Sequence, residues 1–261
     1  MILFIAALQL FALAVYLFIH FIIKKDKGHK EPIGALFVAM GFGILAVVIV
    51  IVLNEFLVPK TLTEYIATGK NAEVSVKLLL TVLTIGVVEE GAKCIPLALF
   101  IYKRKYFDEL TDGVIYFGIT ALTFGIIEDI IYALSYGGGT GIFRILFSPY
   151  LHAGFTILFG ICLAYRKVLN KSWLIVLTGF VAAVWAHALY DFFALMGGVG
   201  LIMTLLITLT LNILLFVVFK KAQSGDEARG QSSLGANKFC QFCGKPNPNQ
   251  TLFCSYCGKR S

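Results

Sequence analysis

The chain has 261 residues, of which 59% are hydrophobic and 14% charged, with a mean hydropathy of +0.86 and a formal net charge of +7. Soluble domains carry roughly 25% charged residues, so this composition excludes a soluble globular protein and predicts an all-α polytopic membrane protein. The positive balance does not call for nucleic acid as a partner, because Lys and Arg cluster beside the apolar runs, where they orient a membrane protein against the cytoplasm.

The first apolar run, residues 2–23, lacks a basic start and a small-residue cleavage site, and reads as a retained helix. A second covers 33–53, a third 78–102 and a fourth 111–136. The fifth begins at Pro149, which caps or bends its start, and reaches about residue 165. The sixth and seventh cover 173–196 and 201–219, giving about seven transmembrane helices. None of these runs alternates polar and apolar residues as barrel strands do, so backbone satisfaction in lipid requires helices.

The connections orient these spans. Lys24, Lys25, Lys27 and Lys30, then Lys103, Arg104 and Lys105, then Arg166, Lys167 and Lys171 mark three cytoplasmic loops. The glycine-rich connections 137–141, read as a plain turn, and 197–200 carry little charge and face outward. With Lys220 and Lys221 after the last span, the N-terminus is expected outside and the C-terminus in the cytoplasm of a bacterial-type cell membrane.

Residues 1–221 thus form the membrane domain, 222–238 a polar, flexible linker, and 239–261 a small zinc ribbon. In the ribbon Cys240-x-x-Cys243 and Cys254-x-x-Cys257 pair thiolates at the spacing of a tetrahedral structural zinc site, each pair followed by a glycine. A cytoplasmic tail favours thiolates over disulfides, and such a module suits docking of a cytoplasmic partner. Cys94 and Cys162, alone in apolar runs, read as packing residues.

The third span holds the sharpest anomaly, Glu89-Glu90-x-x-Lys93. A charge at mid-membrane costs roughly 2.5–3.5 kcal/mol, whereas each Leu, Ile or Val returns roughly 0.3–0.6 kcal/mol. Three charges in one span therefore require polar partners on other helices. At about 1.5 Å rise per residue, Glu89 lies roughly 16 Å below the outer edge, Glu128 roughly 12 Å, His152 roughly 5–10 Å and His187 roughly 13 Å, with Asp191 one turn shallower. Four helices therefore bring polar residues to the outer half of the membrane.

Lys93 can reach back to one carboxylate and leave the other as a base. His187 and Asp191, at i and i+4, share a face, and Asp191 can orient the imidazole, bind a metal with it, or hydrogen-bond a substrate. His152 and His187 with the carboxylates can hold a divalent metal such as zinc. Phe124 shares a face with Glu128, which is either catalytic or a supporting residue; Asp129 reads as a lipid-edge or loop-facing carboxylate.

Glu89-Glu90-x-x-Lys93, Phe124-x-x-x-Glu128, an isolated His152 and His187-x-x-x-Asp191, in this order on successive helices, resemble the PrsW family of bacterial intramembrane proteases, which is grouped with the CAAX-protease and bacteriocin-processing superfamily. The resemblance covers about residues 78–193; the ribbon is an addition seen in some relatives. It implies a protease that cleaves a membrane-anchored protein, of the kind represented by site-1 cleavage of an anti-sigma factor on the extracytoplasmic side. By similarity, Glu89 activates water with His152, while His187 and Asp191 hold a catalytic metal or stabilise the oxyanion; glutamate-only chemistry is the other option. From the residues alone, the same carboxylates also suit an ion- or proton-coupled transporter or channel, and the tail suits a non-catalytic scaffold.

Overall fold

In the computed structural model, the described residues are 31–57, 76–136, 138–196, 198–236 and 257. They form six α-helices and, among the described residues, no strand: α1 (Ile33–Leu57), α2 (Val76–Ile101), α3 (Leu110–Tyr136), α4 (Gly138–Val168), α5 (Trp173–Met196) and α6 (Val199–Ala236). The first apolar run, the second connection, and Cys240, Cys243 and Cys254 lie outside the described residues. Five helices are long and apolar enough to cross a membrane. The remaining one, α2, has 26 residues, and its apolar run is interrupted by Glu89, Glu90 and Lys93.

α3 and α4 form the centre of the bundle. Gly113 and Gly160 face each other across their contact, and a Cβ on either would collide with the other's backbone carbonyl. Small residues at such a crossing let two backbones approach closely, which drives helix association where lipid tails are as apolar as the side chains. α1 packs on α3, tied by the Thr120 hydroxyl donating to the Ala39 carbonyl at 2.9 Å. α5 closes against α4 and α2, while α6 lies outermost, with most of its apolar side chains exposed, as expected for a surface facing lipid.

Two boundaries differ from those read in the sequence. Pro149 does not start its helix: α4 begins at Gly138 and runs through the proline, since a freed carbonyl can be satisfied by neighbouring groups in a membrane bundle. The glycine run 138–141 is accordingly the first turn of α4 rather than a turn between helices. α6 continues past Phe219 to Ala236, through much of the stretch read as linker. Its 38 residues extend roughly 57 Å, well beyond a hydrocarbon core of about 30 Å. The extension docks: Asp226 accepts hydrogen bonds from the backbone N–H of Leu110 (2.7 Å) and Thr111 (2.9 Å) and from the Thr111 hydroxyl (3.1 Å). It thereby satisfies donors left open at the start of α3. At the start of α6, Gly198 has φ +50°, a backbone conformation that glycine adopts without strain.

Candidate active site

α2, α3, α4 and α5 bring the anomalous polar residues of the sequence into one buried cluster. Glu90 and Lys93 are wholly buried, and Glu89, His152 and His187 nearly so. Such a set survives in an apolar bundle only if its charges meet each other, and they do. Lys93 Nζ lies 2.6 Å from Glu90 Oε1 and 3.9 Å from Glu89 Oε2. It also lies 4.6 Å from the centroid of the Phe124 ring, the face of which favours a cation.

Glu90 is the most fully engaged group. Its Oε1 accepts from Lys93 and, at 2.9 Å, from His187 Nδ1, while its Oε2 accepts the Thr156 hydroxyl at 2.8 Å. This carboxylate therefore fixes the His187 tautomer, leaving the Nε2 lone pair directed away from it. That nitrogen lies 3.6 Å from Glu89 Oε2 and 3.5 Å from Asp191 Oδ2. The ring is further held by stacking on Phe155, with centroids 5.0 Å apart and planes inclined by 15°.

His152 is held from both sides. Its Nε2 donates to Glu128 Oε2 at 2.9 Å, and its Nδ1 accepts from Lys93 at 3.2 Å. The pairing assigns the neutral Nε2–H tautomer, because an ammonium can only donate. Gly125 makes room for this ring: a Cβ there would fall 2.6 Å from His152 Cδ2. Phe124 meets the imidazole edge-on, with centroids 5.3 Å apart.

Glu89 differs from its neighbours. Its Oε2 is buried and accepts no hydrogen bond among the described residues, although an unsatisfied buried carboxylate oxygen is costly. One ligand atom from each of Glu89, His152 and His187 lie together within 4.8 Å. Two imidazoles and a carboxylate form the donor set of many hydrolytic zinc sites. Glu89, Glu90, Glu128 and Asp191, if ionised, also set four negative charges against the one ammonium of Lys93, a net of −3 that a divalent cation would offset. The residues thus fit a metal. For His152 to coordinate through Nδ1, Lys93 must release that nitrogen and turn wholly to Glu90.

The seven residues singled out on α2 to α5 are all brought together, with Glu128 and Asp191 at the more open edge of the cluster. Asp129 departs from expectation: it is fully buried rather than facing lipid or a loop. Thr156 and Phe155 went unrecognised in the sequence. Thr156 stands one helical turn after His152, and that spacing was the available signal.

Comparison with known proteins gives a consistent result. A family model described as PrsW family intramembrane metalloprotease matches residues 31–220. Relatives named Protease PrsW include one from Geobacillus kaustophilus, 28% identical over 66% of this chain and 72% of its own length. One from Clostridioides difficile is 29% identical over 71% and 79%, and one from Bacillus subtilis 24% identical over 64% and 73%. No solved structure matches the chain significantly.

Proposed function

The chain belongs to the PrsW family of intramembrane metalloproteases and is a membrane protease, and on that premise we propose that it hydrolyses a peptide bond of a membrane-anchored protein at the cluster formed by Glu89, Glu90, Lys93, Glu128, His152, His187 and Asp191. The observation that carries this reading is the buried Glu89 Oε2, an acceptor with no hydrogen-bond donor among the described residues, set between His187 and Lys93 beside His152. A carboxylate oxygen kept free in this way is ready to take a proton from water. Glu89 is therefore the general base.

Glu90 and Lys93 neutralise one another and keep the His187 ring in one orientation. Glu128 does the same for His152. His187 Nε2 and His152 would hold a divalent metal, joined by Glu89 or by Asp191; bound there, such an ion lowers the pKa of water and polarises a carbonyl. As the Glu89 carboxylic acid forms, its proton can pass to the departing amine, while Lys93 offsets negative charge building at the scissile carbonyl. The bundle excludes bulk water, so these charges act at low dielectric.

The convergence of the site in the outer half of the membrane, as placed by the sequence, supports a substrate cleaved near its extracytoplasmic end, in the manner of an anti-sigma factor. The four tail cysteines Cys240, Cys243, Cys254 and Cys257 are proposed to hold a structural zinc, with the N-terminus outside and the C-terminus in the cytoplasm.

Glu89→Gln and His187→Ala are expected to abolish cleavage of a membrane-tethered reporter while expression and thermal stability persist. Retained cleavage in both overturns the assignment. Metal content separates the roles of Glu89: a base leaves bound metal intact in Glu89→Gln, whereas a ligand loses 10- to 100-fold or more in affinity.

A further inference from the structure

Away from the cluster, at the basic end of the bundle, α2, α4 and α5 leave an apolar groove of about 240 Å³. Phe159, Leu163 and Val176 are its buried floor, and Leu99, Tyr102 and Trp173 form its sides. Its volume falls below the roughly 300–1,000 Å³ of pockets that engulf a whole small molecule, so it suits a stretch of flexible chain. The groove carries one charged residue, Lys103, at its mouth. Lys103 is exposed and engaged in none of the hydrogen bonds or ion pairs among the described residues.

The neighbouring cations divide into two kinds. Arg104 lies over the Phe100 ring at 4.0 Å, and Lys167 donates to the Arg104 carbonyl at 2.5 Å, so both are occupied. Arg166 lies over the Trp173 ring at 5.1 Å and donates through one terminal nitrogen to Asn170 at 2.6 Å, yet its buried Nε–H has no acceptor among the described residues. Tyr102 and Trp173 pack with centroids 5.3 Å apart, the kind of aromatic pair that sits at headgroup level. An apolar slot beneath aromatics, lined by an exposed lysine and bordered by the Arg166 guanidinium over the Trp173 ring, matches a molecule with an acyl chain and an anionic head.

We propose that this groove is a binding site for an anionic phospholipid, one acyl chain lying along Leu99, Phe159 and Leu163 and the phosphate meeting Lys103, with the Arg166 guanidinium over Trp173 adding positive charge nearby. An acyl chain gains no hydrophobic energy on leaving the bilayer for the groove, because lipid tails are as apolar as Leu. Selectivity therefore resides in the head, and charge sets it. The walls are the three helices that carry Glu89, His152 and His187, so the lipid braces the site from the opposite end of the bundle.

The test is native mass spectrometry of the detergent-purified full chain with phosphatidylglycerol or phosphatidylcholine of matched acyl chains. Phosphatidylglycerol is expected to be retained about fivefold more strongly, a factor that Lys103→Ala removes. Lys105→Ala, an equal charge change on the same loop outside the groove, should leave it intact. Equal retention of the two lipids overturns the proposal, as does an equal loss in the two lysine variants, which indicates diffuse attraction to the basic loop. Thermal unfolding of the unmodified chain adds a readout that depends on no variant: at equal mole fraction, phosphatidylglycerol must raise the midpoint more than phosphatidylcholine, and an equal rise also overturns the site.

Discussion

Each oxygen of Glu90 is held by hydrogen bonds or charge, whereas Glu89 one residue away keeps an oxygen without a donor among the described residues, and on the proposed function this asymmetry divides two adjacent carboxylates into a structural and a reactive member. Thr156 is the lever by which the division can be tested. Thr156→Val keeps the shape and removes the donor to Glu90 Oε2, leaving a buried acceptor unsatisfied at a cost of about 1–3 kcal/mol. Cleavage of a reporter should fall about 10- to 100-fold as His187 loses its fixed orientation, and Thr156→Ser should restore most of the rate. Unchanged turnover in Thr156→Val would show that Lys93 and His187 suffice to hold Glu90. The charged residues were legible in the sequence because lipid tolerates no isolated charge, so each had to meet the others. Thr156 and Phe155 were not, since threonine and phenylalanine are ordinary in membrane helices, and Asp129 was misjudged because hydropathy gives depth without direction around the helix axis.

At the scale of elements, α1, α3 and α5 were legible from apolar length alone, because a helix in lipid must keep about 20 apolar residues together, and α2 was legible as a helix although its charges interrupt the run. The start of α4 and the end of α6 were not. A proline and a glycine run read as breakers, yet α4 passes through both, and a polar stretch read as linker is helical where it meets a partner. That partner is the start of α3, whose N–H groups Asp226 accepts. Asp112 adds a second cap nearby, accepting from the N–H groups of Asp108 and Glu109 at 2.7 and 2.8 Å. Asp226→Ala is expected to destabilise the protein by about 1–2 kcal/mol, the cost of losing a helix cap, read as a lower unfolding midpoint in detergent. Asp226→Asn keeps an acceptor oxygen and should retain more than half of that stability. An unaltered midpoint in Asp226→Ala would mean that the α6 extension rests on α3 without supporting it.

For the molecule as a whole, the cap links the helical bundle to the cysteine-rich tail: α3 carries Glu128 at one end and is capped by α6 at the other, and the cysteines follow α6 in sequence. Two metal centres of different kinds are then expected in one chain. A site of four thiolates binds zinc with all its ligands from protein and serves the fold of the tail, whereas a site of imidazole and carboxylate keeps a position open for water. Truncation after Ala236 removes the first and preserves the Asp226 contacts that hold α3. The truncated protein should lose about one zinc per chain, keep the metal that His187→Ala releases, and retain its unfolding midpoint. Metal lost entirely with the tail would confine zinc to the ribbon and assign the reaction to Glu89 and the histidines alone.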